Sequence, residues 1–387
     1  MMTRRMWTAM ALMMTVLIVA PAAQQPQRPQ PPPSIDDRTN GMKKLDGYFP
    51  LYWDERTGSM FVEISRWDTD FLFSNGLSAG LGSNDIGLDR GEGGGSRIVQ
   101  FQRVGPRVLL VQANQSFRSS SKNPAERKSV EDSFAKSILW GFTVAAESNA
   151  RVLVDATQFF LRDMTNAAGS LRPGAYRVDP TRSVFYLPNT KNFPKNTEVD
   201  VTLTFVNEPA GGGGGGGGGP VQGPTPIGPL GAAPGGAGGG GGGGFGGGGL
   251  FTGTVASVTP TPNAVTLREH ASFVELPDGN YQPRVDDPRA GYGGLSFVDY
   301  SVPIGEPMQL RYIRRHRLQK KDPSAAMSEP IKPIQYWVDN GAPEDVKKAL
   351  LEGRAGGTRR SRRPASATRS RSTCCPRAPT RWTSATT

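Results

Sequence analysis

The chain has few of the side chains that most often carry catalysis or hold metals. In 387 residues histidine occurs twice, as His270 and His316, and cysteine twice, as the adjacent pair Cys374 and Cys375. Neither histidine has a second histidine or a cysteine at metal-ligand spacing, so an ordinary strand residue is the default reading of each. No G-x-S-x-G elbow presents a serine nucleophile, and the zinc-peptidase motif H-E-x-x-H is absent. Long apolar runs are missing apart from Met6 to Ala20, which follows Arg4 and Arg5 and ends at Ala20-Pro21-Ala22. That run is shorter than the ~20 residues a membrane-spanning helix needs. Its flanks are those of a secretory signal peptide, residues 1–23, cleaved after Ala22 or Ala23. The sequence therefore predicts an exported protein, periplasmic, cell-surface or extracellular, with no membrane span after signal cleavage.

Carboxylates are missing after Glu352, while nine arginines lie between Arg354 and Arg381. Those nine, with Arg4 and Arg5, account for the formal charge of +11, because the remaining 34 basic residues face 34 acidic ones. The body of the protein is neutral, which removes the electrostatic basis for nucleic-acid binding outside the tail.

What the body has is alternation. After a Pro/Gln-rich linker, residues 24–42, that favours extended chain, short apolar alternations recur at 59–65, 70–74, 97–104 and 107–113, with Gly105-Pro106 as a hairpin turn. Further strand candidates are 138–146, 150–156, 182–188 and 197–206. In the last, Val199, Val201, Leu203 and Phe205 share one face and Asp200, Thr202 and Thr204 the other, which predicts one buried and one wet face. A helical turn is expected around 156–164. Residues 211–249 hold 25 of the 50 glycines, so the stretch 208–251 is expected to be a disordered insert. A phosphate cradle there would need a flanking strand, a helix and a Lys-Ser or Lys-Thr step, and none is present. Strands are expected again at 253–258, 263–269, 271–276, 308–323 and 334–340, and then a helix over 342–353 opened by Pro343 and stopped by Gly353.

The segment GLSAGLGSNDIGLDRGEGGGSR, 76–97, has three readings. Asp85, Asp89 and Glu92 could begin a calcium loop, although the D-x-D-x-D-G spacing is missing. Gly91 to Gly95 could approach an anion, or the stretch could be a tight irregular turn with solvated carboxylates.

Four motifs carry a resemblance: LDGYFPLYWDERTGSMFVEIS (45–65), GLGSNDIGLDRG (80–91), REHASFVELPDGNYQPRVDDPRAGYG (268–293) and EPIKPIQYWVDNGAPEDVKKALLEG (329–353). Together they resemble the bacterial exported zinc-dependent metalloproteases, whose N-terminal regions form two domains of unknown function. The resemblance implies a mainly β protein, an antiparallel sheet or sandwich-like, with a short N-terminal domain at 43–90 and a β-rich domain at 91–325. The start of an α/β zincin-like catalytic domain is implied at 326–353. In such proteins zinc is held by an H-E-x-x-H helix further along, and peptide or protein is the substrate. No catalytic, cofactor-binding or metal residue carries over to this chain, and no cofactor is expected within it.

Residues 354–387 contain no Leu, Ile, Val, Phe, Lys, Asp or Glu, a composition that builds no core. A disordered basic tail read out of frame is expected, since permitted codons regrouped by one base give the amphipathic stretch WNEAFEAAGF. A basic nucleic-acid or membrane-binding tail, a vicinal disulfide and a metal grip remain the other readings. The expected function is thus the non-catalytic N-terminal region of an exported zinc metallopeptidase, inactive on its own. The alternatives are a secreted β-rich binding or structural module, and a hydrolase with a carboxylate site at Asp85 and Asp89.

Overall fold

The computed structural model describes residues 31–82, 86–208, 254–360 and 371–374. By its contacts the chain divides into residues 1–32 and 33–387, and every element below belongs to the second unit. The signal-peptide stretch, most of the glycine-rich insert, Asp85 and Cys375 lie outside the described residues.

The described chain opens with helix α1 (Ile35–Thr39), capped by Ser34 Oγ, which accepts the Asp37 amide at 3.1 Å. Strands β1 (Lys43–Leu45), β2 (Leu51–Asp54), β3 (Ser59–Ile64) and β4 (Phe71–Ala79) follow. Next come β5 (Gly93–Val104), β6 (Arg107–Gln112), β7 (Phe117–Arg118), helix α2 (Pro124–Ser133), β8 (Ser137–Ser148) and β9 (Arg151–Asp155). Helix α3 (Thr157–Phe160) leads to β10 (Ala175–Val178), β11 (Val184–Phe185), β12 (Lys191–Phe193) and the long β13 (Asn196–Glu208). Beyond the glycine-rich stretch lie α4 (Val255–Val258), β14 (Val265–Glu275), β15 (Gly294–Asp299) and β16 (Gln309–Ile313). The last elements are β17 (Gln335–Val338), α5 (Glu344–Arg360) and β18 (Arg371–Cys374).

Thirteen strands form one antiparallel sheet in the order β1-β2-β3-β9-β8-β6-β5-β4-β14-β13-β10, with β11 and β12 also on β13. Its two ends come together. The Tyr48 amide donates to Phe193 O at 2.7 Å, and Asn192 Nδ2 donates to Leu45 O at 2.9 Å and Phe49 O at 2.8 Å. The sheet is thereby nearly closed, and its inner face is filled by phenylalanine. Phe49 meets Phe71, Phe101 and Phe273 edge to face at centroid distances of 5.1, 5.3 and 5.9 Å. Phe49 comes from the β1–β2 connection and its three partners from the adjacent strands β4, β5 and β14, so the contacts span the interior. Such geometries add about 0.5–1.5 kcal/mol per pair beyond the burial itself.

The mainly β, antiparallel expectation agrees with this architecture, and several particulars differ. The division at 90/91 falls inside the β4–β5 connection; the two strands pair from Phe71↔Val99 onward and share one core. The end of the 24–42 linker is structured, because Ile35 is fully buried against Tyr52, Phe61 and Leu153. The two strands expected at 263–269 and 271–276 are one, β14, since nothing at His270 breaks the ladder. The β-branched stretch 253–258 contains a helical turn: the Val255 amide donates to Arg172 O and its side chain is buried, a tertiary contact that overrides strand propensity. Within 308–323 only β16 forms, and α5 continues past Gly353 to Arg360. Where the tail was expected to be disordered, β18 pairs in parallel with β17.

A smaller sheet, β16-β15-β7, carries the chain from the body toward β17. Asp299 anchors it by accepting the amides of Ser120 and Ser301 at 3.1 and 2.9 Å. Burial acts to raise its carboxyl, but the hydroxyl bonds from Ser120 and Ser301, with the two amides, outweigh it and hold the pKa at about 2. Among the described residues no helix is long and apolar enough to cross a membrane.

Candidate functional site

Alternation along β13 sends Val199, Val201 and Leu203 into the core and Glu198 and Asp200 to the opposite face. That face is not wet: Glu198 is 6% and Asp200 1% exposed. The correction has a chemical reason, because β14 lies alongside with His270 opposite Asp200 and Ser272 opposite Glu198. His270 Nδ1 lies 2.5 Å from Asp200 Oδ1 and Nε2 lies 2.6 Å from Glu198 Oε2. With an acceptor carboxylate on each side, both ring nitrogens donate and the ring is an imidazolium.

The outer oxygens of the two carboxylates are satisfied in turn. Ser272 Oγ and Asn196 Nδ2 donate to Glu198 Oε1 at 2.8 and 2.5 Å, and Ser78 Oγ and Asn189 Nδ2 donate to Asp200 Oδ2 at 2.9 and 2.8 Å. Burial alone would lower the His270 pKa. The bonds to Asp200 and Glu198 outweigh it and raise the value to about 9.

Beside the imidazolium is a cavity of about 90 Å³ lined by Ser74, Gly76, Glu92, His270 and Ser272, among others. Gly76 stands opposite His270 in the β4–β14 ladder, where a Cβ would lie 2.7 Å from Glu92 O. The missing side chain therefore lets the β4–β5 connection close over the site. At roughly 10–15 Å³ per water, the cavity holds several waters or one small polar group. Burial raises the Glu92 pKa there, with the nearby Asp89 carboxylate adding to it.

The preceding residue of β14 faces the core. Glu269 is fully buried, accepts the Met164 amide at 2.8 Å and Thr165 Oγ1 at 2.9 Å, and lies against Asp163. Asp163 in turn accepts the amides of Ala167 and Ala168. Burial first, and then the Asp163 carboxylate, push the Glu269 pKa well above the ordinary range. Arg162 lies 4.7 Å above the Trp140 ring and 4.9 Å from the Phe159 ring. Burial brings its pKa down to about 10.

This arrangement does not suit nucleophilic or metal chemistry. His270 has no free lone pair with which to accept a proton from a nucleophile, and Ser272 turns its hydroxyl to Glu198. Its nitrogens are equally unable to ligate zinc, and among the described residues no three His, Cys, Asp or Glu side chains gather as metal ligands.

The residues singled out in the sequence are dispersed. His316 is exposed beyond β16. Asp89 and Glu92 sit in the β4–β5 connection, which is fixed by backbone bonds from Gly91 N to Leu77 O and from Leu81 N to Leu88 O, and Cys374 ends β18. Glu198 and Asp200, which make the site, were not singled out as candidates. Their signal was two carboxylates two residues apart on one strand face, beside a strand carrying the histidine.

Residues 91–321, more than half of the chain, match the model of a protein family described as "Domain of unknown function (DUF5117)". No curated protein and no solved structure matches the chain.

Proposed function

The chain belongs to the DUF5117 family, and we propose that it forms the non-catalytic, N-terminal part of an exported zinc-dependent metallopeptidase. The observation that carries this reading is the location of the uncovered apolar side chains. Of the sixteen large apolar residues exposed among the described residues, twelve fall between Val285 and Leu350. They include Met327 and Ile331, Trp337 on β17, and Val346 and Leu350, the apolar stripe of α5. A strand and helix that leave their apolar stripe in water lack the layer against which such elements bury. Exposed apolar surface concentrated in one stretch of chain marks an interaction surface.

In this reading β17 and α5 are the first elements of the α/β zincin-like domain, as the motif EPIKPIQYWVDNGAPEDVKKALLEG suggests. The nearly closed sheet is the platform on which that domain rests. Arg90 in the β4–β5 connection donates from Nη2 to Asp339 Oδ2 at 2.7 Å, tying the end of β17 to the platform. Zinc, its H-E-x-x-H helix and the peptide substrate belong to the chain that follows, where the metal would activate a water for peptide hydrolysis. Export rests on the Met6–Ala20 run behind two arginines.

The nucleotide sequence of the locus tests this directly. An H-E-x-x-H codon series downstream of Glu352, in any frame, supports the reading. A locus with none in any frame contradicts it and leaves a secreted β-rich binding or structural module.

A further inference from the structure

Strand β14 carries two adjacent titratable residues that face opposite sides of the sheet, each pressed against carboxylates. Glu269 points into the core against Asp163, and His270 points outward between Glu198 and Asp200. We propose that β14 is a proton-dependent latch: one proton held on Glu269 locks it to the segment Asp163–Thr165, one held on His270 locks it to β13, and alkaline conditions release it.

The geometry demands both protons. Without the first, two carboxylates share a fully buried site. Without the second, Glu198 and Asp200, both under 10% exposed, face each other across a neutral ring that can donate to only one of them. Two like charges so placed cannot both be solvated or paired.

The surroundings offer little compensation. On the outer face β13 contributes Glu198 and Asp200, the β4–β5 connection contributes Glu92, and β4 contributes only Ser74, Gly76 and Ser78. Arg268, two positions before His270 on β14, stacks on Tyr186 at 3.5 Å. On the inner face the Arg162 guanidinium lies close enough to couple to Glu269 and to Arg97 of β5, but it sits over the Trp140 and Phe159 rings and its Nη1 and Nη2 make no hydrogen bond to the carboxylates.

Both shifts act in the same direction. For His270 the folded value is raised to about 9 from 6.5, so its stabilisation is complete below about 6.5 and is lost as pH rises through about 9. For Glu269 the folded value is likewise raised, so stability drains as pH rises above its ordinary value of 4.5. The latch therefore tightens in acid and loosens in base, the reverse of a protein held by ordinary carboxylate salt bridges.

Urea unfolding of the full chain from pH 5 to pH 10 tests the latch. The unfolding constant should rise with pH, by up to about tenfold per unit for each of the two protons, with the His270 part between 6.5 and 9, and Glu269→Gln should flatten the part below 6.5. A profile that is flat or improves toward pH 9 overturns the proposal. Because His270→Gln could simply fail to fold, the imidazole itself supplies the second readout. With His316→Gln in place only one histidine signal remains, and its NMR titration should have a midpoint above pH 8. A midpoint at or below 7 would show that the ring is not held as a cation and would end the idea.

Discussion

His270 and Asp200 face each other across the β13–β14 ladder with Nδ1 2.5 Å from Oδ1, although 70 positions separate them in sequence. The pair joins the strands on either side of the glycine-rich stretch. Asp200→Asn keeps an acceptor but removes the charge, so it should cost about 1.5–3 kcal/mol at pH 7, the range for a charge-assisted bond. The His270 midpoint should also move down toward 6.5. Urea unfolding and the histidine NMR signal measure the two effects separately.

The interior is organised around aromatic rings, and Phe49 is the one that bridges distant strands. Phe49→Ala should destabilise by about 3–5 kcal/mol, with loss of the Phe71, Phe101 and Phe273 contacts together. Differential scanning calorimetry should show one transition moved down. A second, unmoved transition would mean that 43–90 and 91–325 fold apart.

Gly76 is required by close approach. Gly76→Ala puts a Cβ 2.7 Å from the Glu92 carbonyl, a backbone atom that cannot swing aside. The expected loss is about 1–3 kcal/mol, whereas glycine replacement at an open strand position is usually neutral or stabilising. Chemical denaturation distinguishes the two signs.

Much of the fold was legible in the residues. Period-two alternation with aromatic and β-branched side chains located β3 to β6, β8, β9 and β13, and Gly105-Pro106 marked the β5–β6 turn, where Gly105 takes φ 56°. Helix α2 has its signal not in apolar alternation but in Asn123-Pro124 and Glu126, a cap in which Asn123 Nδ2 donates to Glu126 Oε1 at 3.0 Å. The site was not legible, because its pairing register depends on β13 and β14 becoming neighbours across the glycine-rich stretch. Local pattern placed Asp200 on a wet face, and only tertiary pairing with His270, Ser78 and Asn189 makes its burial tolerable.

The apolar surface between Val285 and Leu350 predicts a separation of stability from association. Trp337→Ser and Leu350→Ser change side chains that are 47% and 53% exposed, so the stability of this chain should shift by no more than about 0.5 kcal/mol. If the locus encodes the proposed zincin-like domain, binding to that domain expressed separately should fall at least tenfold. Equal binding by the variants in a titration would place the contact elsewhere.

We propose that this chain is a platform and not the peptidase itself. Zinc content and casein cleavage, measured on one purified sample of the chain, separate the two. Substoichiometric zinc and no cleavage are expected of a platform. One zinc per chain together with cleavage that chelation abolishes would overturn that reading.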